Sequence, residues 1–474
     1  MPDRINVLLI GGGGREHAIA LRLAASPRLA TLFATHTTNP GIAALAKPVD
    51  VPVSIREIYR LQQFIEKNDI RLVVIGPEEP LAEGWTDKLA TPSCKVFGPS
   101  AAAARIEGDK TYSKQLMRAA SIPTAEARVF ADAESARIYF ESREQDDLVL
   151  GPLLTDANRY SDREQRRKFI DQQIHASKEI HAAYHATRQD LPVIKATGLA
   201  KGKGVVVPAT LAEALVAIND IMVRRIHGDA GRQIIVEERL TGREVSLLAI
   251  CDGKTILVLP TCQDHKRLGD GDTGPNTGGM GAFCPTDSID EDLMSRIERE
   301  VLVAAIDAMR RDGVEYRGVL YAGLMLTHAG PKVLEFNCRF GDPECQPLMA
   351  RLKSDVIDLF EATCDGRLDS ITVTWDDRPA CCVVLASEGY PEKPKTGIPI
   401  HGLEDAAETP GVIITHAGTT RGPDGTILTS GGRVLSVTAL GDTMAQARQR
   451  AYAACEKIIF AGKTYRTDIA ATST

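Results

Sequence analysis

The sequence predicts a multidomain α/β protein whose chain begins with a doubly wound parallel sheet. Its 474 residues are too many for a single hydrophobic core. Near the start, short buried-strand patterns alternate with helical patterns, as is typical of a parallel sheet. Ligands of such sheets bind at the carboxyl ends of the strands, so the loops at 11–17 and 76–81 are candidate binding sites.

The elements of the first hundred residues follow from apolar runs and glycine turns. Residues 5–10 predict a buried strand, 11–14 a tight glycine turn and 17–25 a helix. The same patterns recur further along, and they predict strands at 32–34 and 71–76, a helix at 54–68 and an apolar segment at 96–99. We expect residues 1–100 to form the first domain.

A second domain is expected from residue 101 to about 370, and a smaller one from 371 to 474. Within the second, the segment at 144–190 is rich in Arg, Gln, Asp and His and predicts a helix at 162–187. We interpret it as a polar surface insertion, so deleting 150–188 would change activity by less than about tenfold, or 1.4 kcal/mol. The other predicted elements are strands at 192–207, 233–237, 245–251, 256–259, 318–326 and 331–337, helices at 291–311 and 443–461, and a glycine-dense loop at 263–282.

Composition excludes several classes of protein. The net charge of −7 argues against a nucleic-acid footprint over the whole chain, and no apolar run is long enough to span a bilayer. The start lacks the pattern of a signal sequence. The ten cysteines are scattered and indicate reduced thiols. We therefore expect a cytoplasmic protein that binds neither nucleic acid nor membrane.

The most informative segment is 332–344, where an apolar strand becomes polar at Glu335, Asn337 and Arg339. Alternate residues of a strand share a face, so a carboxylate, an amide oxygen and a guanidinium are predicted in a row. Such oxygens suit Mg²⁺, and arginine suits the phosphates that Mg²⁺ accompanies. A salt-bridged edge strand is the alternative.

The glycine turn at 11–14 joins a strand to a helix, which favours anion binding. A nicotinamide site is disfavoured because the third glycine of its motif would fall on Glu16 and no ribose-binding acid follows the second strand. Arg15 and His17 instead suit a phosphate on a smaller ligand. A plain helix-capping turn remains open.

Lys195 lies inside an apolar run, and a buried ammonium needs an anion beside it. Lys201 and Lys203 follow in a glycine-rich turn that is typical of a mobile cover over phosphates, although its spacing is not that of a P-loop. A flexible basic hairpin is the alternative. The acidic strand end at Glu237, with Glu244 beyond it, is a weaker indication of an adenosine site.

The loop at 264–281 is too long and glycine-rich for a simple turn and predicts a functional segment, with disorder as the alternative. His181 and His185 lie four residues apart on a predicted helix. Because the glutamate of a metalloprotease motif is missing, we interpret them as part of a solvated face.

Taken together, these segments resemble the phosphoribosylamine–glycine ligase family of the ATP-grasp superfamily. The resemblance runs from about residue 7 to 457 and rests most on segments 11–18, 264–281, 320–324, 335–344 and 432–441. It implies ATP-grasp α+β domains at 101–370, with the ATP lid and nucleotide-binding strands at 191–260, and a small C-terminal α+β domain. The family joins glycine to 5-phosphoribosylamine with ATP through a glycyl phosphate, giving glycinamide ribonucleotide, ADP and phosphate in the second step of purine synthesis.

The resemblance also implies roles for individual residues and a Mg²⁺ (or Mn²⁺) ion. Glu335 and Asn337 would hold the metal, and Arg339, Asp264 and Lys266 would be catalytic. The residues implied for ATP are Lys110, Lys195, Lys203, Glu237, Glu238, Leu240 and Glu244. Those implied for phosphoribosylamine and glycine are Gly13, Arg15, Glu16, His17, Glu78, Arg267 and Asp342.

The chain departs from the family pattern at Thr197 and Arg243, where the family usually has acids, and at 144–190. None of these positions carries the expected chemistry. Another ATP-grasp ligase with a different acid or amine, and a catalytically inactive scaffold, are the remaining alternatives. We favour a monomer.

Overall fold

The structure is a computed structural model that describes residues 3–200 and 204–471. Its contacts form two compact units. The first unit contains Met1–Glu107, Leu116–Pro123 and Arg243–Thr474, and the second contains Gly108–Gln115 and Thr124–Gly242. The division into three domains at residues 100 and 370 stays a prediction.

The first unit begins with the doubly wound parallel sheet that the sequence predicts. Its core strands are apolar throughout, and Val7, Leu8 and Leu9 have no exposed surface. The spatial order of the strands is Lys47–Pro48, Leu29–Ala34, Ile5–Ile10, Ile70–Ile75 and Lys95–Phe97. The helices are Gly14–Ala24, Pro40–Ala43, Ile58–Lys67, Glu78–Ala82, Trp85–Leu89 and Ala101–Gly108, with a 3₁₀ turn at Ile55–Glu57.

One boundary in this sheet differs from the prediction. The first helix begins at Gly14 and not at residue 17, because the Gly13 backbone N–H is capped by the Glu16 side chain. Arg15, Glu16 and His17 therefore lie in the first helical turn, where side chains project from a fixed backbone, and not in a loop.

A four-stranded antiparallel sheet follows in the first unit. Its order is Ile256–Val258, Arg243–Asp252, Arg317–Thr327 and Gly330–Asn337. The predicted helix at 291–311 is present as Glu291–Ile297, a π-helical turn Glu298–Val303 and Ala304–Arg311. The last strand ends at Asn337, so the prediction that Arg339 lies on that strand is wrong.

The glycine-dense segment is more ordered than predicted. It contains four short strands, Gln263–Asp264, Arg267–Gly269, Thr273–Asn276 and Gly281–Cys284. The middle two form a hairpin, because Gly271 and Asp272 adopt positive φ angles of 64° and 54° and turn the chain sharply. The prediction of a plain loop is therefore corrected: the glycines serve turns between strands.

The C-terminal part is α+β, as expected. Its sheet has the order Gln263–Asp264, Gly281–Cys284, Ala380–Ala386, Arg433–Leu440 and Val412–His416, beside a small ribbon of Thr419–Arg421 and Ile427–Thr429. Its helices are Leu403–Ala407 and Met444–Lys457, so the last helix ends four residues before the predicted end. Helices Cys345–Arg351 and Val356–Asp365 and a 3₁₀ turn Leu368–Ser370 precede this part.

The second unit is built on a four-stranded antiparallel sheet of order Ala127–Phe130, Ile234–Glu237, Val193–Ala196 and Val205–Val206. Helix Lys110–Ala119 contributes its first residues to this unit. The other helical segments are Ala133–Ser142, Leu150–Ala157, Arg163–Ala176, Lys178–Tyr184 and Leu211–Ile218, with a π turn Asn219–Val223 and a 3₁₀ turn Gly228–Gly231.

The segment at 144–190 is not a surface excursion, so that interpretation is wrong. Its three helices place apolar side chains in the core of the second unit, against Phe140 and Ile194 of neighbouring elements. Ile170 and Ile174 are spaced four apart and so share one helix face. The remaining buried members from this segment are Leu150, Leu153, Leu154, Ala157 and Tyr184.

In the described part of the chain, no helix combines the length and apolarity needed to cross a bilayer. All ten cysteines are unpaired thiols, and all but Cys364 are buried. Their burial fits the interpretation of these residues as core filler.

Candidate active site

The strand Gly330–Asn337 ends in an oxygen-bearing face. Glu335 and Asn337 are two residues apart and share that face. Gly323 lies opposite Glu335 in the neighbouring strand, and a Cβ at Gly323 would be 3.4 Å from Glu335 Cγ. A side chain at position 323 would therefore contact Glu335 at an ordinary van der Waals distance.

The donor set at this strand end fits a hard cation. It consists of one carboxylate and one amide oxygen, and Asn337 Oδ1 accepts a hydrogen bond from Arg339 Nη2 at 3.0 Å, which orients the amide. Among residues 3–200 and 204–471, no cluster of three His, Cys, Asp or Glu side chains is arranged to hold a metal. Any ion held here would need further oxygens from a ligand or water, as Mg²⁺ usually has.

Arg339 is fixed by two acids. Its Nη2 donates to Glu107 Oε1 at 2.8 Å, and its Nε donates to Glu78 Oε2 at 3.3 Å. Burial opposes the charge of Arg339, but Glu107 and Glu78 outweigh burial and raise the pKa of the guanidinium. Glu107 is 8 % exposed, and its other oxygen accepts the Cys338 backbone N–H at 2.7 Å. Burial raises the pKa of Glu107.

Sequence reasoning missed Glu107. The available signal is an acid near the end of the alanine-rich helix Ala101–Gly108, on the face that also buries Ala103, Ala104 and Ile106. A buried acid needs a cationic partner, but nothing in the sequence points to Arg339, which lies 232 residues away.

The glycine turn before the first helix is held by Glu16. One of its carboxylate oxygens accepts the Gly13 N–H at 2.7 Å, and the other accepts Arg15 Nε at 2.6 Å. A Cβ at Gly76 would lie 2.2 Å from Glu16 Oε1, so any larger residue at that position would displace the Glu16 side chain. Glu16 thus acts as a brace, which fits the helix-capping alternative for this residue.

Arg15 is the buried cation of the same turn. Its Nη1 donates to the Phe340 carbonyl at 3.0 Å, and its Nη2 lies 4.0 Å from Glu78 Oε2. Glu78 therefore lies within 4 Å of two arginines, Arg15 and Arg339. Although burial acts in the opposite direction, the two arginines lower the pKa of the Glu78 carboxyl.

His17 is not placed to bind a phosphate as a cation, which corrects that prediction. Its ring is 4 % exposed, and Nδ1 accepts the His416 backbone N–H at 2.8 Å, which requires a neutral imidazole at that nitrogen. Burial, with a contribution from His416, lowers the pKa of His17 to about 3. Its observed contact fastens the first helix to the strand Val412–His416.

Replacing Gly41 by alanine is expected to lower the free energy of unfolding by about 1–3 kcal/mol through overpacking. The added Cβ would lie 2.0 Å from His17 Cε1. Urea unfolding of the wild type, Gly41→Ala, His17→Ala and the double variant measures the effect. Since removing the ring makes room for the methyl group, the double variant should be more stable than the sum of the single effects; strict additivity would contradict the contact.

Asp342 is anchored by side chains from the C-terminal sheet and its neighbouring helix. Oδ1 accepts Gln346 Nε2 at 2.8 Å, and Oδ2 accepts Arg433 Nη2 at 3.0 Å. Burial acts to raise the pKa of the Asp342 carboxyl, but Arg433 and Arg15 outweigh burial and lower it. A Cβ at Gly13 would be 3.6 Å from Asp342 Oδ2, so this carboxylate borders the glycine turn.

Asp264 and Lys266 lie beside a buried polar cluster. Lys266 Nζ pairs with Glu244 Oε2 at 3.1 Å, and Asp264 Oδ1 lies 3.4 Å from Ser246 Oγ. Burial raises the pKa of Asp264 to about 7. Ser246 and Tyr321 both contact Glu344, which the sequence-based prediction did not assign to the site.

Arg267 points elsewhere within the first unit. Its Nη1 donates to the Gly274 carbonyl at 2.8 Å, so its observed contact lies within its own hairpin. Its role toward substrate stays a prediction.

In the second unit, two lysines share one glutamate. Glu237 Oε2 pairs with Lys195 Nζ at 2.8 Å, and Glu237 Oε1 pairs with Lys114 Nζ at 3.1 Å. The anion expected beside buried Lys195 is thus a carboxylate of the protein. Burial lowers the pKa of Lys114, which sequence reasoning missed because it lies on an unremarkable helix.

The other residues expected around ATP in this unit are partly placed. Lys110 Nζ donates to the Gly198 carbonyl at 3.1 Å, at the start of the glycine-rich turn. The Glu238 N–H donates to Glu126 O at 2.9 Å, so that N–H is engaged within the sheet. Leu240 is half-buried, and Lys203 lies outside the described residues. Glu244 belongs to the first unit and Glu237 to the second, so their joint role stays a prediction.

Comparison with protein-family models gives three matches along the chain. The phosphoribosylglycinamide synthetase N domain matches residues 5–107, its ATP-grasp (A) domain matches 167–345, and its C domain matches 380–472. A phosphoribosylamine–glycine ligase of Rhodopirellula baltica is 44 % identical, with 98 % of this chain and 97 % of that protein covered. One of Brucella melitensis is also 44 % identical, with 98 % and 97 % covered.

Solved structures agree with these matches. The phosphoribosylamine–glycine ligase of Thermotoga maritima has a TM-score of 0.74 and 29 % identity, with 98 % of this chain and 100 % of that chain covered. The biotin carboxylase domain of Hydrogenobacter thermophilus 2-oxoglutarate carboxylase has a TM-score of 0.65 at 13 % identity, with 98 % and 92 % covered, and shows the fold alone.

The three family-domain matches and the doubly wound sheet at the start of the chain define an ATP-grasp ligase. Within that class, the chain belongs to the phosphoribosylamine–glycine ligase family.

Proposed function

We propose that this chain joins glycine to 5-phosphoribosylamine in the cytoplasm, using ATP and passing through glycyl phosphate. The products are glycinamide ribonucleotide, ADP and phosphate, as in the second step of purine synthesis. The observation that carries the proposal is the clamp of Arg339 by Glu107 and Glu78 beside the oxygen face of Glu335 and Asn337. It places a permanent cation next to a metal-type donor set.

The chemistry needs positioning and charge neutralisation. The glycine carboxylate attacks the γ-phosphoryl group, and the amine of phosphoribosylamine then attacks the acyl carbonyl; neither step requires a covalent bond to the protein. Arg15 and Arg339 supply guanidinium groups held by hydrogen bonds before substrate arrives, which lowers the cost of organising charge during the reaction. Asp342 and Glu78 are carboxylates at the same edge, suited to an amine or to ribose hydroxyls.

Glu335 and Asn337 would hold Mg²⁺ (or Mn²⁺) through side-chain oxygens. When bound, the ion neutralises charge on phosphate oxygens. In the second unit, Lys110, Lys195 and Lys203 would approach ATP phosphates, and Glu237, Glu238 and Leu240 would serve the nucleoside. A role toward the nucleoside stays a prediction for Glu244, which belongs to the first unit. Lys195 is only 6 % exposed, and its ion pair with Glu237 holds both charged groups in place.

A coupled ADP-release assay with each substrate omitted in turn tests the proposed function. ADP release should require ATP, glycine and phosphoribosylamine together, and mass spectrometry should show glycinamide ribonucleotide. Turnover with another amino acid or another amine in place of these would favour a different ATP-grasp ligase. Tight NADH binding without ATP turnover would overturn the assignment.

Changing Glu335 to glutamine is expected to lower metal-dependent turnover at least about tenfold, because a charged ligand is lost. The loss should be largest at limiting Mg²⁺ and smaller at saturation. Steady-state rates over a Mg²⁺ titration measure it. Glu315→Gln, an exposed glutamate of the same unit paired with Arg317, is the matched control. Equal rates for Glu335→Gln and wild type at limiting Mg²⁺ would remove Glu335 from the metal shell.

A further inference from the structure

Behind Asp264 lies a buried chain of hydroxyl and carboxyl groups. Tyr321 OH donates to Glu344 Oε1 at 2.6 Å, and Ser246 Oγ lies 2.8 Å from Tyr321 OH and 3.1 Å from the same glutamate oxygen. Ser246 Oγ also reaches Asp264 Oδ1 at 3.4 Å. Two carboxyl groups are thus connected through hydroxyl groups.

The inner end of this series of hydrogen-bonded groups is closed to solvent. Glu344 is 2 % exposed, Ser246 is 1 % exposed and Tyr321 is 4 % exposed, whereas Asp264 is half-buried and forms the outer end. Glu344 lies just past the segment 335–342 that carries the expected metal and substrate residues. A proton on Asp264 can donate to Ser246, and without that proton the Ser246 hydroxyl can turn and donate to Asp264.

The amide-forming step of the proposed reaction releases a proton, which a carboxylate can accept. The amine nitrogen forms a bond to the glycyl carbonyl carbon, and the bond from that carbon to the phosphate oxygen breaks. The phosphate leaves with the electron pair. The nitrogen, which has gained a bond, must give up one proton to reach a neutral amide.

We propose that Asp264 takes this proton, and that Glu344 is a positioning residue that acts through Ser246 and Tyr321 to set when Asp264 carries it. The inference rests on the proposed function, because the proton comes from that reaction. Asp264 then returns the proton to the departing phosphate or to solvent.

The charges around Asp264 determine how readily its carboxyl group ionises. Lys266 favours the ionised form of Asp264, whereas Glu344 and Glu244 oppose it. Tyr321 donates to Glu344, and burial with the charges of Glu344 and Asp264 raises the pKa of Tyr321, so the phenol stays a neutral donor. Cys262 and Cys345 are further titratable groups on which the charge of Glu344 acts; burial raises the pKa of both thiols, so neither adds a charge. The charge of Glu344 therefore opposes the ionisation of Asp264 across the hydroxyl groups that connect them.

Two substitutions should move the pH profile of kcat in opposite directions. Glu344→Gln removes the opposing charge, so the acid limb, which reports ionisation of Asp264, should shift by about one unit to lower pH. Tyr321→Phe removes the hydrogen-bond donor that partly offsets the charge of Glu344, so that charge should oppose ionisation of Asp264 more strongly and the limb should shift by about one unit to higher pH.

The matched control is Glu361→Gln, a similarly buried glutamate that pairs with Arg28 and Lys95, and its acid limb should coincide with that of the wild type. Circular dichroism and thermal melts establish folding. If Glu344→Gln does not fold, Tyr321→Phe decides, because it keeps the ring. Lower kcat with an unmoved limb would show a purely structural role and overturn the proposal. A wild type that makes no glycinamide ribonucleotide would instead overturn the proposed function.

Discussion

Replacing Arg339 by glutamine is expected to lower the free energy of unfolding by about 3–5 kcal/mol, because it leaves the buried Glu107 without its cation. Glu107 is 8 % exposed and loses its 2.8 Å contact, and Glu78 loses its 3.3 Å contact. Turnover by the folded fraction should also fall about 10²–10³-fold, as expected when a fixed donor to developing negative charge is removed. Urea unfolding and the ADP-release assay measure the two effects.

A lysine at position 339 separates charge from geometry. It keeps the positive charge, but one ammonium cannot reproduce the fork that contacts Glu107, Glu78 and Asn337 together. Arg339→Lys should therefore recover part of the stability and little of the turnover. Arg378→Gln is the control. Arg378 forms an exposed ion pair with Asp376, and removing the arginine should lower the free energy of unfolding by no more than about 1 kcal/mol. Wild-type stability of Arg339→Gln would contradict the clamp.

Local patterns were sufficient for the elements of the fold. The strand Ile5–Ile10 and the helix near 291–311 are present because uninterrupted apolar or helical periodicity decides such segments without long-range help. The predicted helix boundary was wrong where a side-chain cap determines it. Glu16 caps the Gly13 N–H, so the first helix begins three residues before the predicted start. The hairpin at 267–276 was missed because its glycines suggested a loop, whereas they supply the turn.

Residue types in the sequence indicated the candidate site, but they did not predict the contacts between its side chains. The sequence indicates that Lys195 needs an anion, but only the structure shows that Glu237 supplies it and shares it with Lys114. His17 has the composition of a phosphate ligand, yet a backbone N–H 399 positions away holds it neutral. Contacts of this kind depend on how distant strands meet, and no local periodicity encodes them.

Average polarity also hid the packing of the segment at 144–190. A helix needs only one apolar residue in three or four to form a buried stripe, so a segment can be polar overall and still supply core side chains. Arg166, which adds to the polar count, is 7 % exposed and pairs with Glu141 at 2.6 Å. This charged residue is thus part of the interior of the second unit.

Deleting residues 150–188 is expected to abolish folding of the second unit, and with it ligase activity. The deletion removes six large apolar side chains from a core that includes Phe140 and Ile194, and leaves those partners exposed: Leu150, Leu153, Leu154, Ile170, Ile174 and Tyr184. It also removes Arg188, which pairs with the buried carboxylate of Glu144. The yield of soluble protein and the ADP-release assay measure the result, and a folded deletion variant with activity within about tenfold of wild type would restore the surface-insertion interpretation.

Substitutions at two leucines test the packing of this segment without deleting residues. Leu154→Ala should lower the free energy of unfolding by about 2–5 kcal/mol, because Leu154 is 3 % exposed in the core. Leu148→Ala, six residues earlier, should change it by no more than about 0.5 kcal/mol, because that side chain is 94 % exposed. Urea unfolding of both variants gives the difference. Since both changes delete the same atoms from the same segment, only packing distinguishes them, and equal values would mean that the helices at 150–184 contribute no core.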